Sequence, residues 1–302
     1  YARTFGQDLM RGEHVVGATR GGQVSERRQA DQRSNLNGAP PKPAWATGTG
    51  TENMAAGTSI FDPVLCELAY RWFSPPGGLV LDPFAGGSVR GIVAAKLGRE
   101  YIGCELRPEQ VAANKAQAAL ICATGTCPAW HVGDSAKVIP ALNVAADFVF
   151  SCPPYGDLEV YSDRPDDLSG MDHMEFIDAY RVIVAAAVSK LKSDRFACFV
   201  VGDFRDSKGY YRNFVSDTID AFLRAGAKLY NEAILVTAVG SLPIRVSKQF
   251  SASRKLGKTH QNVVVFVKGD PKKATQACGT VEVDEALFSE APSDTLGELS
   301  RL

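Results

Sequence analysis

Leu79-Val80-Leu81-Asp82-Pro83-Phe84-Ala85-Gly86-Gly87 is the stretch on which the fold turns: three consecutive apolar residues, an acid, and a turn holding two glycines. The apolar run predicts a short buried strand, and the helical spacing from Ser88 to Lys96 predicts the helix after it. A strand that feeds through glycines into a helix lets backbone N–H groups approach a ligand closely. Taken alone, such a turn is equally a tight strand-to-helix connection. The next predicted strand, Tyr101-Ile102-Gly103-Cys104, ends at Glu105, nineteen residues beyond Gly86. At that separation an acidic side chain reaches ribose hydroxyls in nucleotide-binding sheets. A third strand, Trp130-His131-Val132, runs into Gly133-Asp134-Ser135. Three acids at three successive strand ends point to an adenosyl ligand. There is no GxxxxGK[ST] run, and a carboxylate at Asp82 repels phosphate while it attracts a sulfonium or ammonium cation. A phosphate-rich cofactor is disfavoured, and S-adenosyl-L-methionine is favoured.

Working outward, Phe61-Asp62-Pro63 opens a helix over Val64 to Phe73, closed by Pro75-Pro76-Gly77-Gly78. Downstream, the pattern predicts helices over Pro108 to Ala123, Met174 to Leu191 and Asn213 to Ala225, and strands over Asp147 to Phe150 and Phe196 to Val201. Two late strands, Glu232 to Val239 and Val263 to Val267, have no predicted helix between them and read as an antiparallel pair. The alternation implies an α/β fold. Its sheet is mostly parallel and seven-stranded, covered on both faces, with an antiparallel strand near the carboxyl end and ligands at the carboxyl ends of the strands. Residues 1–57, rich in Gly, Arg, Gln, Asn and Pro, read as a flexible or extended arm, 58–269 as a catalytic domain, and 270–302 as an acidic loose tail.

Composition bounds the rest. With 302 residues and 45% hydrophobic side chains, one sizeable core is the expectation. No apolar run is long enough to span a bilayer and no secretory apolar core follows Tyr1, which predicts a soluble intracellular protein; the opening Tyr in place of Met fits a piece of a longer product. The seven scattered cysteines have no zinc-finger spacing and read as reduced thiols, with no metal expected. A net charge of −1 neither demands nor excludes nucleic acid, so such contact must come from local basic patches.

The apolar run Phe148-Val149-Phe150-Ser151 leads into Cys152-Pro153-Pro154-Tyr155. Two prolines donate no backbone hydrogen bond and hold the chain extended, which fixes the carbonyls and leaves them free to accept from an amino group. Tyr155 offers a flat face for a base. On these two motifs the chain resembles the DNA amino-methyltransferases that act on adenine N6 or cytosine N4, bacterial or phage enzymes whose cofactor motif is Asp-Pro-Phe-x-Gly-x-Gly and whose catalytic motif is Asp, Asn or Ser before Pro-Pro-Tyr, Phe or Trp. The resemblance covers roughly residues 58–268 and implies a Rossmann-like fold, S-adenosyl-L-methionine as methyl donor and DNA as partner. It further implies cytoplasmic work in a bacterial cell or phage-infected host, in restriction-modification or regulation, as a monomer or homodimer. It carries cofactor contacts onto Phe61, Asp82, Phe84, Gly86, Gly87, Glu105, Asp134 and Ser135, with Thr58 to Pro63 packing on the methionine end and Glu105 and Asp134 holding ribose and adenine. It carries catalysis onto Cys152, Pro153, Pro154 and Tyr155. There a flipped base stacks on Tyr155, its amine held by the Pro153 carbonyl and the residue-152 side chain while nitrogen attacks the cofactor methyl in line.

Two positions depart from the family pattern. Ser88 replaces the last glycine of the cofactor motif, and Cys152 stands where Asp, Asn or Ser is usual. Thiol sulfur is a weak acceptor. A competing reading therefore has Cys152 adding as thiolate to a pyrimidine ring for C5 methylation, with Glu159 as the nearest acid. An RNA- or protein-directed methyltransferase of the same fold is a further alternative. For holding DNA, only sixteen residues separate Asp134 from Ser151, which leaves no room for a recognition domain there. The connection from Gly240 to Gln261 carries Arg245, Lys248, Arg254, Lys255 and Lys258 with no acid and reads as the phosphate-contacting loop, with Tyr210-Tyr211-Arg212 as a second aromatic and basic cluster.

Overall fold

The computed structural model describes residues 60–123, 125–156, 161–237 and 242–281, excepting the side chains of 243–245. The expected arm over 1–57, Thr58 and Ser59, Glu159, the side chain of Arg245 and the tail beyond residue 281 lie outside the described residues.

Asp62 caps the first helix, α1 (Pro63–Phe73), its Oδ1 accepting from the Val64 and Leu65 N–H groups at 2.8 and 3.4 Å while Pro63 occupies the first turn. Strand β1 (Leu79–Asp82) follows, then α2 (Val89–Lys96), β2 (Glu100–Glu105), α3 (Pro108–Ile121) and β3 (Ala129–Val132). Helix α4 (Ser135–Ala141) leads to β4 (Ala146–Ser151), and α5 (His173–Lys190) to β5 (Leu191–Val201). The chain closes with α6 (Phe214–Arg224), β6 (Lys228–Val236), α7 (Leu242–Ser253), β7 (His260–Lys268) and α8 (Pro271–Cys278).

The seven strands form one sheet in the order β3-β2-β1-β4-β5-β7-β6. Pairing is parallel from β3 through β5, and β7 runs antiparallel to both β5 and β6. The expected α/β architecture, with its antiparallel strand near the carboxyl end, is met. Every residue of β4 is buried, as a central parallel strand requires. Alternation then divides the core: Phe148, Phe150, Phe196 and Cys198 face the layer of α1 and α2, while Val149, Phe199 and Phe266 face the layer of α5 and α6. The order of strands reverses between β1 and β4, so a crevice opens at their carboxyl ends. Both sequence motifs leave the sheet there.

Three expectations are corrected. The connection read as a bare loop between the late strands contains α7, on which Leu242, Val246 and Phe250 recur at helical spacing. The tail read as loose begins with α8, capped by Asp270 with Pro271 in the first turn and seated by buried Ala274 and Cys278. A short helix, α4, unforeseen because Pro140 interrupts it, starts at Asp134, whose Oδ1 accepts from the Ala136 N–H at 2.9 Å.

Candidate active site

The turn after β1 is tied down from four sides. Asp82 is wholly buried; its Oδ2 accepts from Arg90 Nε at 2.6 Å and Tyr101 Oη at 2.7 Å, and its Oδ1 from Ser151 Oγ at 2.5 Å and the Phe84 N–H at 3.1 Å. Arg90 also donates through Nη2 to the Phe84 and Ala85 carbonyls, at 2.6 and 2.9 Å, and its guanidinium lies 4.7 Å from the Phe61 ring centre. Although burial opposes a charge on Arg90, the Asp82 carboxylate beside it pushes its pKa up. These contacts set Asp82, read from the sequence as a contact for the cofactor's positive charge, beneath the turn. Its lone pairs are filled by protein donors and its charge is met by Arg90, so it shapes the turn from beneath.

The other candidate cofactor residues stand closer to the opening. Glu105, at the end of β2, accepts from the Gly86 N–H through Oε2 at 3.0 Å and from the Arg107 N–H through Oε1 at 2.9 Å. Burial raises its carboxyl above the ordinary range even though those donors and the Arg107 charge pull it down. Gly86 has φ of +51°, a left-handed value glycine adopts without strain, and a methyl group placed on either Gly86 or Gly87 would meet nothing within 4 Å. Asp134 is half-buried at the cap of α4, and Ser135 Oγ donates to the Pro83 carbonyl at 2.6 Å, bracing the turn from β3's side. Phe84 stacks on Tyr180 at 5.8 Å, and Phe61 meets Phe150 edge-on at 5.7 Å. Open space over two glycines, flanked by a half-buried carboxylate with lone pairs to spare, fits an adenosyl group.

The Cys152 to Tyr155 loop leaves β4 beside that turn, because Ser151, the last residue of β4, donates to Asp82. Cys152 is half-buried. Burial pushes its thiol up, against the pull of Arg90. Tyr155 packs its ring on Phe204 (6.3 Å, tilted) and edge-on to Phe214 (6.1 Å). Its phenol oxygen accepts from Gln261 Nε2 at 2.6 Å and lies 3.9 Å from Cys152 Sγ, and burial raises its pKa. Two clefts meet at Phe204. One of about 480 Å³ is lined by Gly156, Met171, His173 and Arg212; the other, of about 220 Å³, by Tyr155, Asp203, Lys258 and Gln261.

The five basic residues read as one loop are divided. Lys248 lies exposed on α7, and Arg254, exposed with φ of +55°, sits 5.0 Å from the Phe250 ring centre. Lys255 packs against Gly209, and Lys258 lines the Tyr155 cleft. Gly209 belongs to a hairpin in which Arg205 stacks on Tyr211 at 3.8 Å and pairs with it across the strands, leaving Tyr210 exposed. The two basic segments are thus neighbours.

Several residues of this site went unread in the sequence. Asn114 donates to the Gly86 carbonyl at 2.7 Å, and Ser88 hydroxyl and Gln117 form a close contact above it; both partners ride on α3, a turn or more past any motif. Arg90, Ser151 and Gln261 act across 8, 69 and 106 residues, respectively, and only the apolar strand before Ser151 signalled its place.

The DNA methylase family matches residues 23–116, a span that takes in the turn after β1 and the end of β2. The Type II methyltransferase M1.MboII of Moraxella bovis is 49% identical over 47 residues, which are 16% of this chain and 18% of that protein. The match therefore spans under a fifth of the curated relative's length. Both are similarities to DNA methylases over part of this chain. Among solved structures, TrmN from Thermus thermophilus superposes with a TM-score of 0.46 at 17% identity, over 69% of this chain and 49% of that one. Magnesium protoporphyrin IX methyltransferase from Synechocystis, with bound SAM, gives 0.43 at 13% identity, over 89% and 98%.

Proposed function

We propose that this chain, similar to the DNA methylases across its cofactor turn, is an S-adenosyl-L-methionine-dependent DNA methyltransferase that modifies the exocyclic amine of a flipped adenine (N6) or cytosine (N4). One observation carries the reading: the glycine turn after β1 and the Pro153-Pro154-Tyr155 loop after β4 open on one crevice, joined through the Ser151 to Asp82 hydrogen bond. When bound, the cofactor supplies a methyl group on a cationic sulfur. The chain's own residues do the rest. Glu105 and Asp134 hold the ribose and adenine, Gly86 and Gly87 leave the room they need, and Phe61 closes the methionine end over Arg90. On the substrate side, Tyr155 is a flat neutral platform, and the Pro153 carbonyl and Cys152 accept from the amine and draw its lone pair out of the ring.

A neutral thiol suits that accepting role better than the rival one. Attack on a pyrimidine C6 requires thiolate. Burial pushes the Cys152 thiol up, and the attraction of Arg90 does not offset it. That environment favours the amine as methyl acceptor. The deciding experiment incubates the protein with labelled cofactor and plasmid DNA, digests to nucleosides and separates them by mass spectrometry. Label is expected in N6-methyl-deoxyadenosine or N4-methyl-deoxycytidine. Label confined to 5-methylcytosine would overturn the amine reading, and label absent from the plasmid but present when RNA is offered in its place would overturn DNA as substrate. The setting, as part of restriction-modification or of a phage, and a place in the cytoplasm follow only if DNA is the product.

A further inference from the structure

Behind Tyr155, three polar side chains converge on a residue that has none. A methyl group built on Gly202, just past the end of β5, would lie 3.6 Å from Lys258 Nζ, 3.8 Å from Gln261 Cγ and 3.9 Å from Tyr155 Oη. Gln261 is satisfied, since it donates to the Tyr155 oxygen at 2.6 Å. Lys258 is not. It is half-buried, yet among the described residues it makes no ion pair and no hydrogen bond. Burial lowers its pKa, and Asp203 pulls the other way without reaching ion-pair distance. A partly desolvated ammonium with three free donors beside a cleft of about 220 Å³ calls for an acceptor inside that cleft. Lys248 and Arg254 stand on open surface, free to meet phosphate. Lys258 stands instead against the residue on which a base would stack.

We propose that this cleft between β5 and β7 is the target-base pocket, in which Lys258 donates to a ring nitrogen or carbonyl oxygen on the base edge while Gln261, a positioning residue, fixes the plane of Tyr155. This rests on the DNA-base reading above and assigns Lys258 a role other than gripping phosphate. The two roles separate in one experiment on the full chain: methylation kinetics on duplex DNA and the salt dependence of DNA binding, for wild type and Lys258→Met. A base-reading lysine predicts that kcat falls roughly 10-fold or more, the worth of one hydrogen bond from a charged donor, with the salt slope unchanged. A phosphate-gripping lysine predicts an unchanged kcat and a salt slope reduced by about 0.9, and that result would overturn the inference. Cofactor affinity equal to wild type establishes that the variant is folded. Should it be lost, Lys258→Arg decides, because a phosphate contact survives that exchange and a fitted base contact does not. For Gln261, replacement by Leu should slow turnover when Tyr155 is present and add nothing in a Tyr155→Phe background, whereas additive losses would remove its positioning role. If the wild-type protein labels no DNA base at all, the DNA reading falls and this inference falls with it.

Discussion

Asp82 and Glu105 are both acids at strand ends on the cofactor side of the sheet, and their surroundings give them different work. With four protein donors on its oxygens and Arg90 as its counter-charge, Asp82 is bound into the protein beneath the turn. Asp82→Asn leaves the Arg90 charge buried without its partner, a loss of about 3–5 kcal/mol. Urea unfolding should show that loss directly, and a stable Asp82→Asn protein with weakened cofactor binding alone would restore Asp82 to the ligand side. Glu105→Gln, by contrast, keeps a carbonyl for the Gly86 N–H and loses only the acceptor for the Arg107 N–H, so it should cost about 1–3 kcal/mol of stability, less than Asp82→Asn, while cofactor affinity drops roughly 10-fold or more, read by calorimetry. The sequence shows both acids and cannot separate them. What separates them is Arg90, eight residues on, and Tyr101 and Ser151, which reach Asp82 only through sheet pairing.

Asp147, at the opposite end of the sheet, makes the pH argument. Burial alone would raise its carboxyl, but hydrogen bonds from Lys192, the Leu79 N–H and Arg195 outweigh it and hold the group below its ordinary value. A depressed folded value means the stabilisation is fully present above the ordinary carboxylate range and fades as pH falls through the lower, folded value. Unfolding midpoints measured from pH 7 down to pH 3 should therefore fall more steeply for wild type than for Asp147→Asn. Parallel curves would show that Asp147 contributes nothing ionic.

At the scale of elements, the strands and the helices that alternate with them were legible, because apolar runs and glycine turns mark them locally. The helices missed had equally local signals in less expected places. Asp270-Pro271 repeats the cap of Asp62-Pro63, and its Oδ1 accepts from the Lys272 and Lys273 N–H groups at 2.7 and 3.4 Å. Asp270→Ala should destabilise the protein by about 1 kcal/mol, the usual worth of such a cap, seen as a lower thermal midpoint. Helix α7 was hidden by the basic residues that drew attention to its charge. Its seating depends on Gly257, where an added Cβ would come within 2.8 Å of both Leu242 and Val246. Gly257→Val should displace α7, weakening DNA binding while cofactor binding holds. Equal loss of both would mean that α7 braces the whole sheet.

At the scale of the molecule, a net charge of −1 gives no long-range pull toward DNA, so any grip must be local. The fold supplies one candidate face. The carboxyl edge of the sheet brings together the Cys152 to Tyr155 loop after β4, the hairpin around Arg205 and Tyr211, and the stretch from α7 to β7, with Lys255 lying against Gly209 of the hairpin. Sequence could find the charges but not this adjacency, which arises because β7 inserts between β5 and β6 and, antiparallel to β5, begins at the carboxyl edge. The consequence is measurable. Each phosphate contact contributes about 0.9 to the slope of log affinity against log salt, so replacing Lys248, Arg254 and Lys255 together by Ala should flatten the slope by roughly two to three while leaving the identity of the methylated base unchanged. A slope that does not move would carry the duplex to another face, and the 480 Å³ cleft beside Arg212 would then mark where to look. A change in the methylated base would instead show that these cations read sequence.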